Sequence, residues 1–164
     1  MPRSRRSISH AAHLFAFFAE YSDFNYDPRA PVLDEFHRLV RVYQWKPESK
    51  ERKEARTRFS AAMGRQFSSF YGTRVDDLAA WQALCLALGV DPVPETVDEC
   101  RKIIKSTHVN LVDFIDTRLT GVPVKTFETE EKLREYTLEN RKFFPKQSAK
   151  ESGVLKYLLR EILA

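Results

Sequence analysis

Apolar residues recur at intervals of three and four along nearly the whole chain of 164 residues, which is the spacing of an amphipathic α-helix. The apolar face of segment 31–43, for example, is Leu33, Phe36, His37, Val40 and Tyr43. Only residues 122–127 alternate as a strand would, and Pro123 limits them to an edge or a loop. Five glycines are too few for a fold built on many tight turns. The sequence therefore predicts an all-α bundle of seven or eight helices, with at most a minor extended segment near 122–127.

The length fits one compact domain. Residues 1–21 are predicted to form an N-terminal helix with a basic lead-in, and residues 22–164 a single helical domain. Segment 76–88 is apolar almost all the way round, which is typical of a helix at the centre of a bundle. We therefore expect helices 31–43 and 49–71 to pack on a central helix formed by 76–88.

Helix starts are predicted wherever a short polar side chain precedes an apolar periodic segment, because such a side chain accepts a hydrogen bond from a free N–H of the first turn. The predicted capping residues are Ser49, Asp76 or Asp77, Thr96, Thr107, Thr129 and Ser148. Helix ends are predicted at glycines, which adopt the left-handed conformation without strain. These glycines are Gly72, Gly89 and Gly121.

The first nineteen residues allow two interpretations. They contain arginines and serines but no acid, which is the composition of a mitochondrial targeting peptide. The alternative is a core helix with the buried face Ile8, Ala11, Ala12, Phe15 and Phe18. Four aromatic residues within positions 15–21 favour the core helix.

The two cysteines indicate the compartment. Cys85 and Cys100 lie inside apolar helical patterns, without the number or spacing of a disulfide framework or a zinc site. We expect both to be reduced core residues, and hence a protein of the nucleus or the cytoplasm. No apolar run approaches the roughly 18 residues that a membrane span needs, so no membrane is expected as a partner.

No catalytic motif stands out. The histidines are His10, His13, His37 and His108. Only His108 is followed closely by carboxylates, at Asp113 and Asp116, and a helix that begins near Thr107 does not place these three on one face. No glycine-rich phosphate loop or two-histidine metal helix is present. The sequence therefore predicts a non-enzymatic protein-interaction or structural module, without catalytic residues, cofactor or metal.

Aromatic residues cluster where the chain turns, and exposed rings of this kind mark partner sites. The predicted partner-binding residues are Trp45, Phe143 and Phe144. The partner is a second protein or a second copy of the chain. A homodimer would form through these aromatic loops or through the leucine-bearing final helix, which starts near Ser148.

Nucleic-acid binding is the alternative function, because basic residues concentrate at the N-terminus and on the basic helix 46–65 of a chain with net charge +4. The residues predicted to bind it are Arg3, Arg5, Arg6, Lys46, Lys53, Arg56, Arg58 and Arg65. Two observations weaken this alternative. The bases wrap round the helix, and the spacing predicts ion pairs from Glu48 to Arg52 and from Glu54 to Arg58.

Three segments of the chain resemble segments of a known family. The first is 59–85, which contains Gln66-Phe67, Phe70-Tyr71-Gly72-Thr73 and Trp81-Gln82. The other two are Val109-Asn110-Leu111-Val112-Asp113 and Phe144-Pro145-Lys146. In these segments the chain resembles a family of small fungal helical proteins. The resemblance implies a shared helical fold and a fungal source, and it carries no activity, ligand or site. In physical terms, we expect Gln66 and Gln82 to make hydrogen bonds between helices inside the core.

Overall fold

The structure is a computed structural model that describes residues 10–145 and residue 154. Within them lie seven α-helices and two short strands. The helices are α1 (Ala12–Ala19), α2 (Val32–Val42), α3 (Lys50–Tyr71), α4 (Leu78–Ala87), α5 (Val97–Ser106), α6 (Leu111–Thr120) and α7 (Glu130–Asn140). Strand β1 (His108–Val109) pairs antiparallel with β2 (Thr126–Phe127), with His108 opposite Phe127. The predicted all-α bundle is confirmed, and β2 falls in the segment predicted to be extended.

Local capping starts four of the helices where the sequence predicts. Ser49, Asp77, Thr96 and Thr129 each accept a hydrogen bond from a backbone N–H two or three residues further on. The prediction of a cap at Thr107 is wrong. Residues 107–109 are extended because β1 pairs with β2 there, and the side chain of Asn110 caps α6 instead.

Helix α3 lies at the centre of the bundle and packs against α1, α4 and α6. The ring of Phe59 stacks on Phe36 of α2 at 4.6 Å between centroids, and it lies 5.4 Å from Phe17 and 6.0 Å from Phe18 of α1. The prediction that segment 76–88 is the central helix is wrong. Helix α4 buries only the face that α3 and α5 cover, and Leu86 on its other side is 64% exposed.

The buried faces of α1 and α2 differ from the predicted ones by a small rotation. On α2 His37 is exposed, while Glu35 is buried and takes part in hydrogen bonds with the side chain of Arg38 and the N–H of Asp27. On α1 Phe15 is partly exposed, and the buried side chains are Leu14, Phe17 and Phe18. Of the remaining predictions, Ile8 and the helix after Ser148 lie outside the described residues, apart from Val154, which is buried in the core.

Helices α1 and α2 begin without a local cap, because Ala11 and Pro31 offer no side-chain acceptor. Side chains from distant parts of the sequence supply the missing acceptors. Oε1 of Gln66 on α3 accepts hydrogen bonds from the first turn of α1, from the N–H of His13 at 2.9 Å and of Leu14 at 3.3 Å. Oδ1 of Asp116 on α6 accepts one from the N–H of Val32 at 2.8 Å. These bonds fix α1 on α3 and α2 on α6.

Three further predictions can be compared with the structure. Gln66 makes the expected hydrogen bonds between helices, whereas Nε2 of Gln82 donates to the carbonyl of Pro94 in the loop between α4 and α5. Cys85 and Cys100 are free and buried, and burial together with the neighbouring Cys100 raises the pKa of Cys85 to about 12. No helix within the described part of the chain is long and apolar enough to cross a bilayer.

Candidate functional site

Three aromatic rings, those of Tyr21, Tyr43 and Trp45, pack together where α1 and α2 end. We call them the ring cluster. Their centroids lie 5.3–5.5 Å apart, with Tyr43 and Trp45 stacked and Tyr21 edge-on to both. All three rings are half-buried. At these distances the rings touch each other, so a ligand has no space between them and must bind against their outer edges and faces.

The turn after α2 places Trp45 in this cluster. Gln44 adopts a left-handed conformation with φ of 54°, although it is not a glycine. The N–H of Trp45 then donates to the carbonyl of Val40, and the N–H of Gln44 to that of Arg41, which together form a Schellman motif. On the other side, the hydroxyl of Tyr43 accepts a hydrogen bond from the N–H of Asp23 and so ties the loop after α1 to the cluster.

Arg58 of α3 lies beside the ring cluster and is held from two sides. Its Nη1 is 2.9 Å from Oε2 of Glu20, and its Nη2 donates to the hydroxyl of Tyr21 at 2.8 Å. The guanidinium also lies 5.7 Å from the centroid of the Tyr21 ring. Burial raises the pKa of Tyr21, and Arg58 opposes that rise. The result is an exposed cation in a fixed position next to three rings.

An open depression of about 390 Å³ adjoins this surface along α3. Its lining includes Arg58 together with Lys53, Glu54 and Thr57, so charged side chains border the ring cluster on that side. Trp45 and Arg58, which the sequence assigns to two different functions, therefore belong to one surface. Tyr21 and Glu20 were not predicted, because no pattern in the sequence relates them to residues more than twenty positions away.

The other residues predicted to bind nucleic acid do not form one face. Lys53 is paired with Glu48 at 3.0 Å, and Arg58 with Glu20. Lys46, Arg56 and Arg65 are exposed, and no ion pair links them to another described residue. Arg3, Arg5 and Arg6 lie outside the described residues. The predicted pairs from Glu48 to Arg52 and from Glu54 to Arg58 are both wrong. Glu48 pairs with Lys53 instead, and Glu54 pairs with Lys50.

The predicted partner-binding residues separate in the structure. Phe144 is half-buried and packs edge-on against Phe67 of the core, with 5.8 Å between the ring centroids. Phe143 is 37% exposed. Trp45 packs with Tyr21 and Tyr43 instead. Of the three residues, Trp45 alone has become part of a larger aromatic surface.

A polar network fixes the segment after α7. Nζ of Lys142 donates to Oδ1 of Asp113 at 2.9 Å and to the hydroxyl of Tyr136 at 2.7 Å, and that hydroxyl donates to Oδ2 of Asp113. Burial disfavours the charge on Lys142, but the bonds to Tyr136 and Asp113 outweigh it and raise the pKa of Lys142. Asn110 binds the carbonyl of Lys142 as well. Because every member is engaged, the network holds chain segments together.

His108 lies in β1, and both oxygens of Asp113 are bonded to Tyr136 and Lys142. Among residues 10–145 and 154, no group of three or more His, Cys, Asp or Glu side chains is placed to hold a metal ion.

Asp116 is the carboxylate most affected by its surroundings. Burial raises its pKa from 3.8 to about 6, the N–H of Val32 opposes this rise, and the charge of Asp113 adds to it. Because the folded state binds the proton more tightly than the unfolded state does, Asp116 contributes stability below about pH 4. That contribution is lost as the pH rises through 6.

The variant Asp116→Asn tests this dependence, since it keeps an oxygen acceptor for the N–H of Val32 but carries no charge. We expect the free energy of unfolding of the variant, minus that of the native chain, to rise by about 2 kcal/mol between about pH 4 and about pH 7.5. Urea denaturation at the two pH values measures the difference. A difference that does not change with pH contradicts the account.

Comparison of the chain with protein-family models, curated proteins and solved structures yields no match. The interpretation of the surface therefore rests on the geometry of its own residues. The resemblance to small fungal helical proteins stays a prediction.

Proposed function

We propose that this chain is a non-enzymatic protein-interaction module and that the ring cluster, together with Arg58, binds the partner. The observation that carries the proposal is three large, half-buried rings that pack together beside a guanidinium that Glu20 and Tyr21 hold in place. Tyr, Trp and Arg are the residues that most often dominate binding energy at protein interfaces. Because these side chains are already ordered, binding costs little additional entropy.

The partner that fits this surface is a protein segment that carries acidic groups and apolar side chains. Residues 41–58, which include Tyr43, Trp45 and the first turns of α3 up to Arg58, contain seven Lys or Arg and three Asp or Glu. With Glu20, which is paired with Arg58, the net charge of this surface is +3, and an acidic segment would be attracted to it. The rings leave no enclosed cavity, which favours an extended contact with a protein over capture of a small molecule.

Nucleic-acid binding is the second candidate. In its favour, Lys46, Arg56 and Arg65 are exposed and have no ion pair with another described residue. Against it, the acid partners of Lys53 and Arg58 reduce the charge available for phosphates. If phosphates are the target, the logarithm of the binding constant for an oligonucleotide falls steeply with the logarithm of the salt concentration. A flat salt dependence excludes this candidate.

The first experiment identifies the partner. A photo-crosslinking amino acid at exposed Gln44, next to the rings, is irradiated in extract from cells that express the protein. The proposal expects a crosslinked protein that survives nuclease treatment and whose attached peptide is acidic. A crosslink that nuclease removes supports nucleic acid instead and overturns the proposal.

The variant Trp45→Ala tests the surface with the purified partner. We expect its binding to be weaker by about tenfold to a hundredfold, since truncation of a central aromatic residue costs about 2 kcal/mol or more. The control is Leu86→Ala, which removes an exposed apolar side chain from α4 and leaves the ring cluster intact. Equal affinity of the Trp45 variant and the native chain, measured by calorimetry, contradicts the proposal.

A further inference from the structure

Arg58 already holds one carboxylate, and that carboxylate lies at the surface. Nη1 of Arg58 is 2.9 Å from Oε2 of Glu20, and the two side chains are 53% and 49% exposed. No other hydrogen bond within the described part of the chain involves the carboxylate of Glu20. Such a pair gains little free energy, because water screens it and two long side chains lose conformational freedom in it. Glu20 can therefore leave Arg58 at little cost.

The guanidinium of Arg58 is held from its other side, independently of Glu20. Its Nη2 donates to the hydroxyl of Tyr21 at 2.8 Å, and it lies 5.7 Å from the centroid of that ring. The ring of Tyr21 in turn packs against those of Tyr43 and Trp45. Arg58 therefore keeps its place beside the ring cluster when Glu20 leaves, and its Nη1 becomes available to another carboxylate.

The pair of Arg38 and Glu35 shows how a permanent ion pair is built in this fold. Nε and Nη2 of Arg38 both donate to the carboxylate of Glu35, which also accepts from the N–H of Asp27. The side chain of Glu35 is only 4% exposed. Glu20, in contrast, lies at the surface and at the C-terminal end of α1, where the helix dipole disfavours a negative charge. The carboxylate of Glu20 therefore contributes little to the stability of α1.

We infer that Glu20 occupies the place of a carboxylate from the partner, and that an Asp or Glu side chain of the acidic segment replaces it on Arg58 when the partner binds. This inference rests on the proposed function and names the group that the partner contributes. The open depression of about 390 Å³, which Arg58 helps to line, gives such a side chain access to the guanidinium.

The exchange makes the surface selective. It replaces one charge-assisted hydrogen bond of Arg58 with another, so a carboxylate alone gains little over Glu20. The net gain comes from the ring cluster, whose rings an apolar neighbour of the incoming acid contacts. Glu20 therefore favours segments that carry an acidic and an apolar side chain together over segments that are merely acidic.

The test uses the full chain, labelled with nitrogen-15, and three capped dipeptides added separately: acetyl-Phe-Glu-amide, acetyl-Phe-Gln-amide and acetyl-Gly-Glu-amide. We expect acetyl-Phe-Glu-amide to shift the amide signals of residues 20–23 and 43–45 in a saturable manner and to bind more tightly than the other two. The variant Glu20→Gln is expected to bind it about fivefold more tightly, because no carboxylate has to be displaced. The matched control is Glu48→Gln, which removes an exposed carboxylate paired with Lys53 and is expected to bind as the native chain does.

The variant Arg58→Gln is expected to remove the preference for acetyl-Phe-Glu-amide over acetyl-Phe-Gln-amide, and circular dichroism shows whether each variant is folded. Three outcomes overturn the inference. They are no saturable shift in the Glu20→Gln variant, an equal gain of affinity in the Glu48→Gln variant, and binding of acetyl-Gly-Glu-amide as tight as that of acetyl-Phe-Glu-amide.

The proposed function fails in a different way. If the dipeptides bind as expected but no partner is captured through Gln44, the carboxylate site stands and the proposed function falls. If a partner is captured but the Glu20→Gln variant gains no affinity for acetyl-Phe-Glu-amide, only this inference falls.

Discussion

Phe59→Ala is expected to lower the free energy of unfolding by about 4 kcal/mol, as measured by urea denaturation. Phe59 lies in the middle of α3, 2% exposed, and its ring contacts the rings of Phe17, Phe18 and Phe36. Truncation removes the contacts that join α3 to both α1 and α2, and the stacked neighbours cannot fill the space without losing their own packing.

Leu86→Ala is the matched comparison, because it removes a large apolar side chain from α4. Since Leu86 is 64% exposed, its truncation is expected to cost less than about 0.5 kcal/mol. The ratio of the two losses shows which helix is central. Equal losses, or a larger loss at Leu86, contradict the placement of α3 at the centre of the bundle.

Gln66→Ala is expected to lower the free energy of unfolding by about 3 kcal/mol. Oε1 of Gln66 is the side-chain acceptor for the N–H groups of His13 and Leu14, and without it both are left unsatisfied in a buried place. The variant Gln66→Met, which nearly keeps the volume, isolates the hydrogen-bonding part of the loss. We expect about 2 kcal/mol for Gln66→Met, because the change also removes Nε2, a buried donor without a partner among the described residues.

The control for Gln66 is its neighbour Arg65, which is exposed on the same helix. Arg65→Ala is expected to change stability by less than about 0.5 kcal/mol. Amide hydrogen exchange gives an independent measurement. Relative to the native chain, the Gln66→Ala variant should exchange its amide hydrogens faster in α1, with a smaller change in α3. Unchanged stability in Gln66→Met would show that α1 does not depend on this distant cap.

The sequence predicts those parts of the fold whose signals are local. Ser49, Asp77, Thr96 and Thr129 cap their helices within a few residues, and the structure places them as expected. The predictions that were wrong concern features that depend on contacts between distant segments. The apolar composition of α4 suggested burial on all sides, although burial depends on which neighbours cover a helix, and Leu86 is 64% exposed.

The candidate site was predictable only in part, for the same reason. Trp45 was found because its loop is aromatic in sequence, but Tyr21 and Glu20 reach it only through tertiary packing. The left-handed turn at Gln44 carries no glycine, so nothing in the sequence indicated its geometry. The pairing predicted from Glu48 to Arg52 is wrong for the same reason, since only the structure shows that Glu48 binds Lys53.

Backbone amide NMR of the labelled chain, titrated with the purified partner, tests the central claim most directly. If the ring cluster and Arg58 form the binding surface, the largest shifts fall on residues 20–23 and 43–58, which come together only in the folded bundle. Shifts centred on α4 and α5, or on residues 143–145, would place the partner elsewhere and contradict the account.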